Sequence, residues 1–173
     1  MISPPSLSAS GPDMADGRIL AANHNGVYVI RFEGDVRLTL CTTIDDYFER
    51  MFEDPAFASV WVDLCEAEGL DSTTLGLLAK LALTVKHRFG FLPPIFSCDP
   101  GINRLLKSMG FQRLFDLREE LCGNEDEATA IPVVEGSEAA VKEKVIEAHK
   151  VLMELSPENR ARFKDLLAVL EHG

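Results

Sequence analysis

The sequence has no apolar run that approaches the roughly 20 residues of a membrane-spanning helix. Its first 17 residues also lack the basic start and the apolar stretch of a secretory signal peptide. We therefore expect a cytoplasmic protein. Apolar residues nevertheless make up 46% of the 173 positions and charged residues 26%, which predicts a globular chain with a core rather than a disordered one.

Basic residues are in short supply. The chain carries 17 Lys and Arg against 28 Asp and Glu, which gives a formal net charge of -11. Affinity for nucleic acids comes largely from Lys and Arg side chains that replace the counterions of phosphates. The sequence therefore predicts neither a nucleic acid nor a membrane as a partner.

Metal-binding and catalytic motifs are also missing. The four cysteines never fall in the close C-x-x-C spacing of zinc or thioredoxin-like sites, and the four histidines are scattered. The phosphate-binding, dinucleotide-binding, zinc-protease and serine-hydrolase signatures have no match. These absences predict free thiols, no metal, no cofactor and no enzymatic activity.

What is present is an alternation of strand and helix patterns. Residues 1–17, rich in proline and serine, suggest a flexible leader. The turn Asn25-Gly26 between two apolar runs then predicts a β-hairpin. Later strands are predicted at residues 60–64 and 94–97, and helices at residues 43–52, 75–89 and 102–109, with residues 111–117 completing the unit. This order predicts an α/β domain over residues 18–121, with a mixed sheet of four or five strands and helices mainly on one face.

The last third of the chain has a different character. An acidic linker is predicted over residues 122–136 and a helical hairpin over residues 137–173, with Ser156-Pro157 as the start of its second helix. The apolar seam of this hairpin comprises Val141, Val145, Ala148, Leu152, Leu155, Phe163, Leu166, Leu167 and Leu170. Such a seam must be buried against the main domain or against a second chain. We favour the first alternative, with the hairpin covering the open face of the sheet.

Three hydroxyl residues, Ser72, Thr73 and Thr74, stand where a strand and loop lead into the apolar helix. Their simplest role is to cap the helix start. A second role is possible, because the free N–H groups and the positive end of a helix dipole also favour an added phosphate. The segment shows no adjacent histidine or lysine that would act as a base for a catalytic serine.

This segment resembles the phosphoacceptor motif of the anti-sigma factor antagonists, which carry the STAS domain. In that family a strand ending in aspartate leads through a short loop into Asp-Ser-[Ser/Thr]-Gly-Leu-Gly. Asp63 stands at the strand aspartate, and Asp71, Ser72, Thr73, Leu75 and Gly76 match the motif. Met109-Gly-Phe-Gln-Arg-Leu-Phe-Asp resembles a downstream signature of the same family, so the similarity spans residues 20–118.

The resemblance implies a STAS-like fold and a bacterial partner-switching protein that regulates transcription. Ser72 would be the phosphoacceptor, and the residues around it would bind partners: Asp63, Asp71, Thr73, Thr74, Leu75 and Gly76. The implied partners are an anti-sigma factor or serine kinase, and a PP2C-type phosphatase or a response regulator carrying one. The unphosphorylated form would bind the anti-sigma factor, and phosphorylation would end that binding.

Two other functions remain open at this point. The STAS-type fold also suits a ligand-sensing or nucleotide-binding regulatory domain, although residues 66–76 contain no glycine-rich cradle and no basic residue. An enzyme with Ser72 as its nucleophile is a further alternative. Thr74 departs from the family motif, which has a glycine there, and we expect this larger polar side chain to alter the fit of a kinase.

Overall fold

The computed structural model describes residues 16–123 and 128–173. Its strands are β1 (Arg18–His24), β2 (Val27–Val36), β3 (Ser59–Asp63), β4 (Ala67–Leu70), β5 (Pro94–Phe96), β6 (Asp116–Arg118) and β7 (Thr129–Ala130). Its α-helices are α1 (Cys41–Glu53), α2 (Ser72–Phe89), α3 (Pro100–Ser108), α4 (Glu138–Leu155) and α5 (Pro157–His172). The leader predicted at residues 1–17 lies outside the described residues except for its last two.

The strands form one mixed sheet in the order β6-β5-β3-β2-β1-β7. The Asn25-Gly26 turn joins β1 to β2 as predicted, and both of its residues have positive φ. Strand β2 is central because it pairs with β3 over its first half and with β4 over its last three residues. This double pairing brings the start of α2 beside the end of β2.

The prediction of an α/β fold with a mixed sheet is confirmed, but the sheet has more strands than the four or five expected. Seven are present in the part of the chain that the structure describes. The additional strands β4, β6 and β7 are only two to four residues long. Segments this short carry no readable alternation of apolar and polar residues, so their strand character comes from pairing with longer neighbours.

The core lies between the sheet and one layer of helices. Alternate residues of the central strands, such as Ile30 and Val62, are fully buried and belong to one apolar cluster with Ile44 of α1, Leu78 of α2 and Leu106 of α3. The expectation of helices mainly on one face therefore holds. Among the described helices, none is both long and apolar enough to cross a membrane.

The C-terminal hairpin packs on its own chain, but in a different place from the one expected. Helix α4 lies against α2 and α1, so the hairpin forms a third layer outside the helices instead of covering the open face of the sheet. Ser156 caps α5 as predicted, by accepting a hydrogen bond from the Asn159 N–H. The position of the hairpin follows from a close crossing of α4 with α2 and from ion pairs that join α4 to α1 and α2.

Candidate functional site

The start of α2 is held in place by Asp71. Its Oδ1 accepts a hydrogen bond from the Thr74 N–H at 2.9 Å, and its Oδ2 accepts one from the Leu38 N–H at 2.7 Å. Asp71 is therefore the N-cap, and it also ties the helix to the segment that follows β2. Capping of α2 does not require the hydroxyl of Ser72.

Thr73, Thr74 and Leu75 point into the protein. All three are buried, and the Thr74 Oγ1 donates a hydrogen bond to the carbonyl oxygen of Val36 at 3.3 Å. The Thr74 side chain therefore fastens α2 to the end of β2 from inside the protein, and its effect on the fit of a kinase stays a prediction. These three residues, predicted to bind partners, support the start of α2 from inside the protein and are not at its surface.

The Ser72 hydroxyl, at the first helical position, contacts a residue that sequence reasoning missed. Its Oγ lies 2.7 Å from Nε2 of His149 in α4. The other ring nitrogen, Nδ1, lies 2.7 Å from the carbonyl oxygen of Val145. Since a carbonyl oxygen only accepts, Nδ1 carries the proton of the neutral ring, and Ser72 donates its hydrogen to Nε2.

His149 itself is enclosed. Only 2% of its surface is exposed, and its ring meets that of Phe163 edge to face, with 5.2 Å between the centroids. The sequence held one signal for it, because His149 lies four residues after Val145 and three before Leu152, within the apolar seam of the hairpin. A histidine in such a seam needs a polar partner, but the identity of that partner is a matter of tertiary structure.

Gly76 lies one helical turn beyond Ser72, where α2 and α4 cross. A Cβ atom at this position would lie 2.5 Å from the Ala148 Cβ and 2.7 Å from the Ala148 carbonyl carbon. Only glycine lets the two helices approach this closely. Gly76, predicted as a partner-binding residue, thus contacts the hairpin of the same chain.

A group of ion pairs surrounds this crossing. Asp45 of α1 is buried and accepts hydrogen bonds from Lys144 of α4 at 2.7 Å and from Lys80 of α2 at 3.3 Å. Lys80 also pairs with Glu147 of α4 at 3.1 Å. Burial by itself would raise the pKa of Asp45, but the Lys144 hydrogen bond and the charge of Lys80 outweigh it and hold that pKa below its usual value.

The second helix of the hairpin is fixed by Asn159. Its side-chain amide is fully buried and donates hydrogen bonds to the carbonyl oxygens of Met109 at 3.0 Å and Leu152 at 2.9 Å. Met109 is the C-cap residue of α3, so α5 is joined both to the main domain and to α4. The hairpin is therefore attached by polar contacts at each of its two helices.

Asp63 is not brought to this site. It ends β3, on the side of the strand opposite the core residue Val62, and its Oδ2 lies 3.5 Å from Nε of Arg31. Both residues line an open cavity of about 390 Å³, together with Glu33, Cys65, Glu66, Leu121, Cys122 and Gly123. This cavity is separate from the start of α2, because neither Ser72 nor any other residue of α2 lines it. Among the described residues, this cavity included, no cluster of three or more His, Cys, Asp or Glu is arranged to hold a metal ion.

We compared the sequence and the structure of the chain with those of known proteins. No family model and no curated protein matches the chain. Its structure is similar to the crystal structure of an anti-sigma factor antagonist from Mycobacterium paratuberculosis, with a TM-score of 0.52 and 20% identity. The match covers 66% of this chain and 92% of that one. The chain has a STAS-like fold.

The STAS-like fold agrees with the resemblance seen in the motif around Ser72. About a third of this chain has no counterpart in the antagonist from Mycobacterium paratuberculosis, while almost all of that protein is matched. The domain shared by the two proteins therefore carries additional structure here.

Proposed function

We propose that this protein is an anti-sigma factor antagonist that binds its target through the start of α2 and is controlled by phosphorylation of Ser72. The observation that carries the proposal is that Asp71, and not Ser72, caps the start of α2. Asp71 performs the capping, which leaves the adjacent Ser72 hydroxyl, at the first position of the helix, for another use. The STAS-like fold supports the same proposal.

A phosphate on Ser72 would change a partner interface without undoing the fold. The free N–H groups of the first helical turn and the positive end of the helix favour a dianion at this position. Asp71 is already anionic and adjacent, so an approaching partner would meet two concentrated negative charges. We expect phosphorylation to weaken target binding by about 10²-fold or more.

The other partners follow from this switch. A serine kinase, in some cases the target itself, would transfer the phosphate, and a PP2C-type phosphatase or a response regulator carrying one would remove it. The kinase would supply ATP and Mg²⁺, so this chain would need no cofactor. Such a system would operate in the cytoplasm and would be non-enzymatic on the side of this protein.

Phosphopeptide mapping and affinity capture from the native host together test the proposal. We expect phosphate on Ser72 in the parent protein and none in Ser72→Ala. As bait, Ser72→Ala should capture an anti-sigma factor or a serine kinase, and Ser72→Asp should capture much less of it. Ser108→Asp, which adds the same charge at the exposed end of α3, is the matched control and should capture as the parent does.

Two results would contradict this function. Phosphate found only on another residue would move the switch away from Ser72. If Ser72→Ala and Ser72→Asp capture every identified regulatory protein equally well, phosphorylation of Ser72 does not control binding.

The contact between Ser72 and His149 favours a second candidate, in which Ser72 is a nucleophile and His149 its base. The 2.7 Å separation suits proton transfer, but His149 is almost completely buried beneath Phe163, which leaves a substrate little access. A fluorophosphonate probe, which labels activated serines, separates the two candidates. We expect no label on Ser72 in the folded protein, and a label abolished by His149→Ala would establish the hydrolase instead.

A further inference from the structure

We propose that the hairpin formed by α4 and α5 is an autoinhibitory cover, which occupies the partner-binding surface of α2 and must swing away before a target or a kinase reaches Ser72. This inference rests on the proposed function, because that function makes the start of α2 a partner-binding surface. Protection of Ser72 by the hairpin does not depend on that function, so it is measured separately from partner binding.

The hairpin contacts the residues that the proposed switch needs. His149 engages the hydroxyl that would receive the phosphate, and Ala148 lies against Gly76 one turn further along α2. Ser72 is half-buried, and a kinase that places its oxygen in line with a phosphoryl group must first break the hydrogen bond to His149. A partner helix or loop docking at Gly76 would need the space that α4 fills.

The attachment is strong enough to keep the cover closed in the free chain. Val145, Leu152, Phe163 and Leu167 are buried, and an open hairpin would expose them to water. The polar contacts of Lys144 with Asp45 and of Asn159 with Met109 add to this. A partner that opens the hairpin must therefore offer α2 contacts that replace those lost.

The attachment is also built to be reversible. The ion pairs of Lys144 and Lys80 lie at the margin of the contact, with side chains 25% and 34% exposed. The segment before α4 is held separately, because β7 pairs with β1 and the backbone of Val134 bonds to the Thr43 side chain. The hairpin can thus leave α2 while the chain that leads to it stays in place.

Chemical accessibility at position 72 measures the cover without any partner. In a Ser72→Cys protein, the rate of alkylation of that thiol by N-ethylmaleimide is followed by peptide mass spectrometry, which separates it from the four native cysteines. Lys144→Glu places a negative charge against Asp45 and leaves the α2 surface unaltered. Lys164→Glu makes the same change of charge at an exposed position of α5 and is the matched control.

We expect slow alkylation in the Ser72→Cys parent and at least about tenfold faster alkylation when Lys144→Glu is added. Lys164→Glu should leave the rate unchanged. Adding Asp45→Lys to Lys144→Glu restores opposite charges across the contact and should return part of the protection, which distinguishes opening from general damage. Circular dichroism of each variant verifies that the domain is folded.

Alkylation of the parent thiol at position 72 as fast as in urea-unfolded protein would overturn the cover. So would a rate unaffected by Lys144→Glu in a folded variant. If Lys144→Glu unfolds the domain, Ala148→Leu, which presses on Gly76, replaces it, with Ala139→Leu on the exposed side of α4 as its control.

A second measurement, with Ser72 intact, tests inhibition. The captured anti-sigma factor or kinase should bind the Lys144→Glu protein about tenfold more tightly than the parent, and the kinase should phosphorylate it correspondingly faster. Faster alkylation combined with unchanged affinity and phosphorylation would overturn autoinhibition and leave the proposed function standing. If position 72 is protected as expected but no form of the protein binds a regulatory partner or becomes phosphorylated, the proposed function fails while the cover stands.

Discussion

The Ser72 hydroxyl donates a hydrogen bond to Nε2 of His149, a residue 77 positions further along the chain. One side chain is the predicted site of modification, and the other belongs to the hairpin that packs on α2. Because His149 is buried, removing the Ser72 hydroxyl leaves Nε2 of His149 without a hydrogen-bonding group in a place that water reaches poorly, whereas Ser72 itself is only half-buried.

This pair predicts measurable coupling. Ser72→Ala should lower the free energy of unfolding by about 1–2 kcal/mol, and His149→Ala by about 2–4 kcal/mol because it also opens a cavity beside Phe163. In a double-mutant cycle measured by urea unfolding, the two changes should couple by about 1 kcal/mol. Ser108→Ala, whose hydroxyl bonds only within its own helical turn, should change the stability by less than about 0.5 kcal/mol. Strict additivity of Ser72→Ala and His149→Ala would show that the hydrogen bond contributes nothing.

Gly76 gives the second prediction. Alanine is normally the better helix former by about 1 kcal/mol, but here its methyl group would enter the Ala148 backbone and side chain. We expect Gly76→Ala to destabilise the protein by about 1–3 kcal/mol in thermal or urea unfolding. Adding Ala148→Gly should restore only part of the loss, because the carbonyl group of residue 148 remains in the way. A stabilising Gly76→Ala would mean that the helices cross less closely.

The Asp45 ion pairs predict a pH dependence. A carboxylate with a lowered folded-state pKa stabilises the protein above about pH 4, its unfolded value, and this stabilisation is lost as the pH falls through the folded pKa. The hydrogen bond to Asp45 raises the pKa of Lys144, so the contribution of Lys144 persists to about pH 10.5 and is lost above it. Hairpin docking should therefore be firmest between these limits.

The measurement is the stability difference between the parent and Asp45→Asn as a function of pH. We expect about 2–3 kcal/mol at pH 7, shrinking as the pH falls below about 4. Asp46→Asn is the control, since the Asp46 side chain is 45% exposed and pairs with Arg50 one turn along the same helix, so it should matter by less than about 0.5 kcal/mol. A difference of the same size at pH 7 and pH 3 would contradict the assignment.

The cysteines supply a prediction about reactivity. Cys65 and Cys98 follow the neighbouring strands β3 and β5, and their sulfur atoms lie 3.5 Å apart. Burial and the adjacent Cys98 raise the pKa of Cys65, and burial raises that of Cys41, whereas Cys98 is exposed. At pH 7.5, N-ethylmaleimide should modify Cys98 at least about tenfold faster than Cys65 or Cys41. In urea the three rates should converge, and equal rates in the folded protein would refute the prediction.

Local signals account for what the sequence could predict. The Asn25-Gly26 turn, the Ser156-Pro157 helix start and the apolar seam of the hairpin each depend on residues close together in the chain. The motif around Ser72 was found in the same way, and the fold that it implied is confirmed. The sequence could not assign separate roles to the residues of this motif. In the structure Asp71 caps the helix, whereas the Thr74 side chain turns inward and bonds to the carbonyl of Val36.

What the sequence could not predict depends on long-range contacts. Nothing local in the sequence distinguishes Asp45 from the other carboxylates of this acidic chain, because its partner Lys144 lies in α4, 99 positions away. His149 was one of four scattered histidines in the sequence, and its contact with Ser72 depends on the crossing of α4 and α2. Even the docking site of the hairpin was wrongly expected on the sheet, since a seam of apolar residues specifies that something is buried and not against which surface.

The pairing of β7 with β1 sets the local concentration of the hairpin. Because Thr129–Ala130 are held at the sheet edge and Val134 is bonded to α1, only a few residues separate the last fixed point from the start of α4 at Glu138. A ligand on so short a tether faces its binding surface at an effective concentration on the order of millimolar or higher. A free partner competes against that concentration, so a chain that is open about 1% of the time would show a target affinity about 100-fold weaker than that of its bare domain. The length of the tether, as much as the chemistry of the interface, would thus set the threshold at which this protein responds.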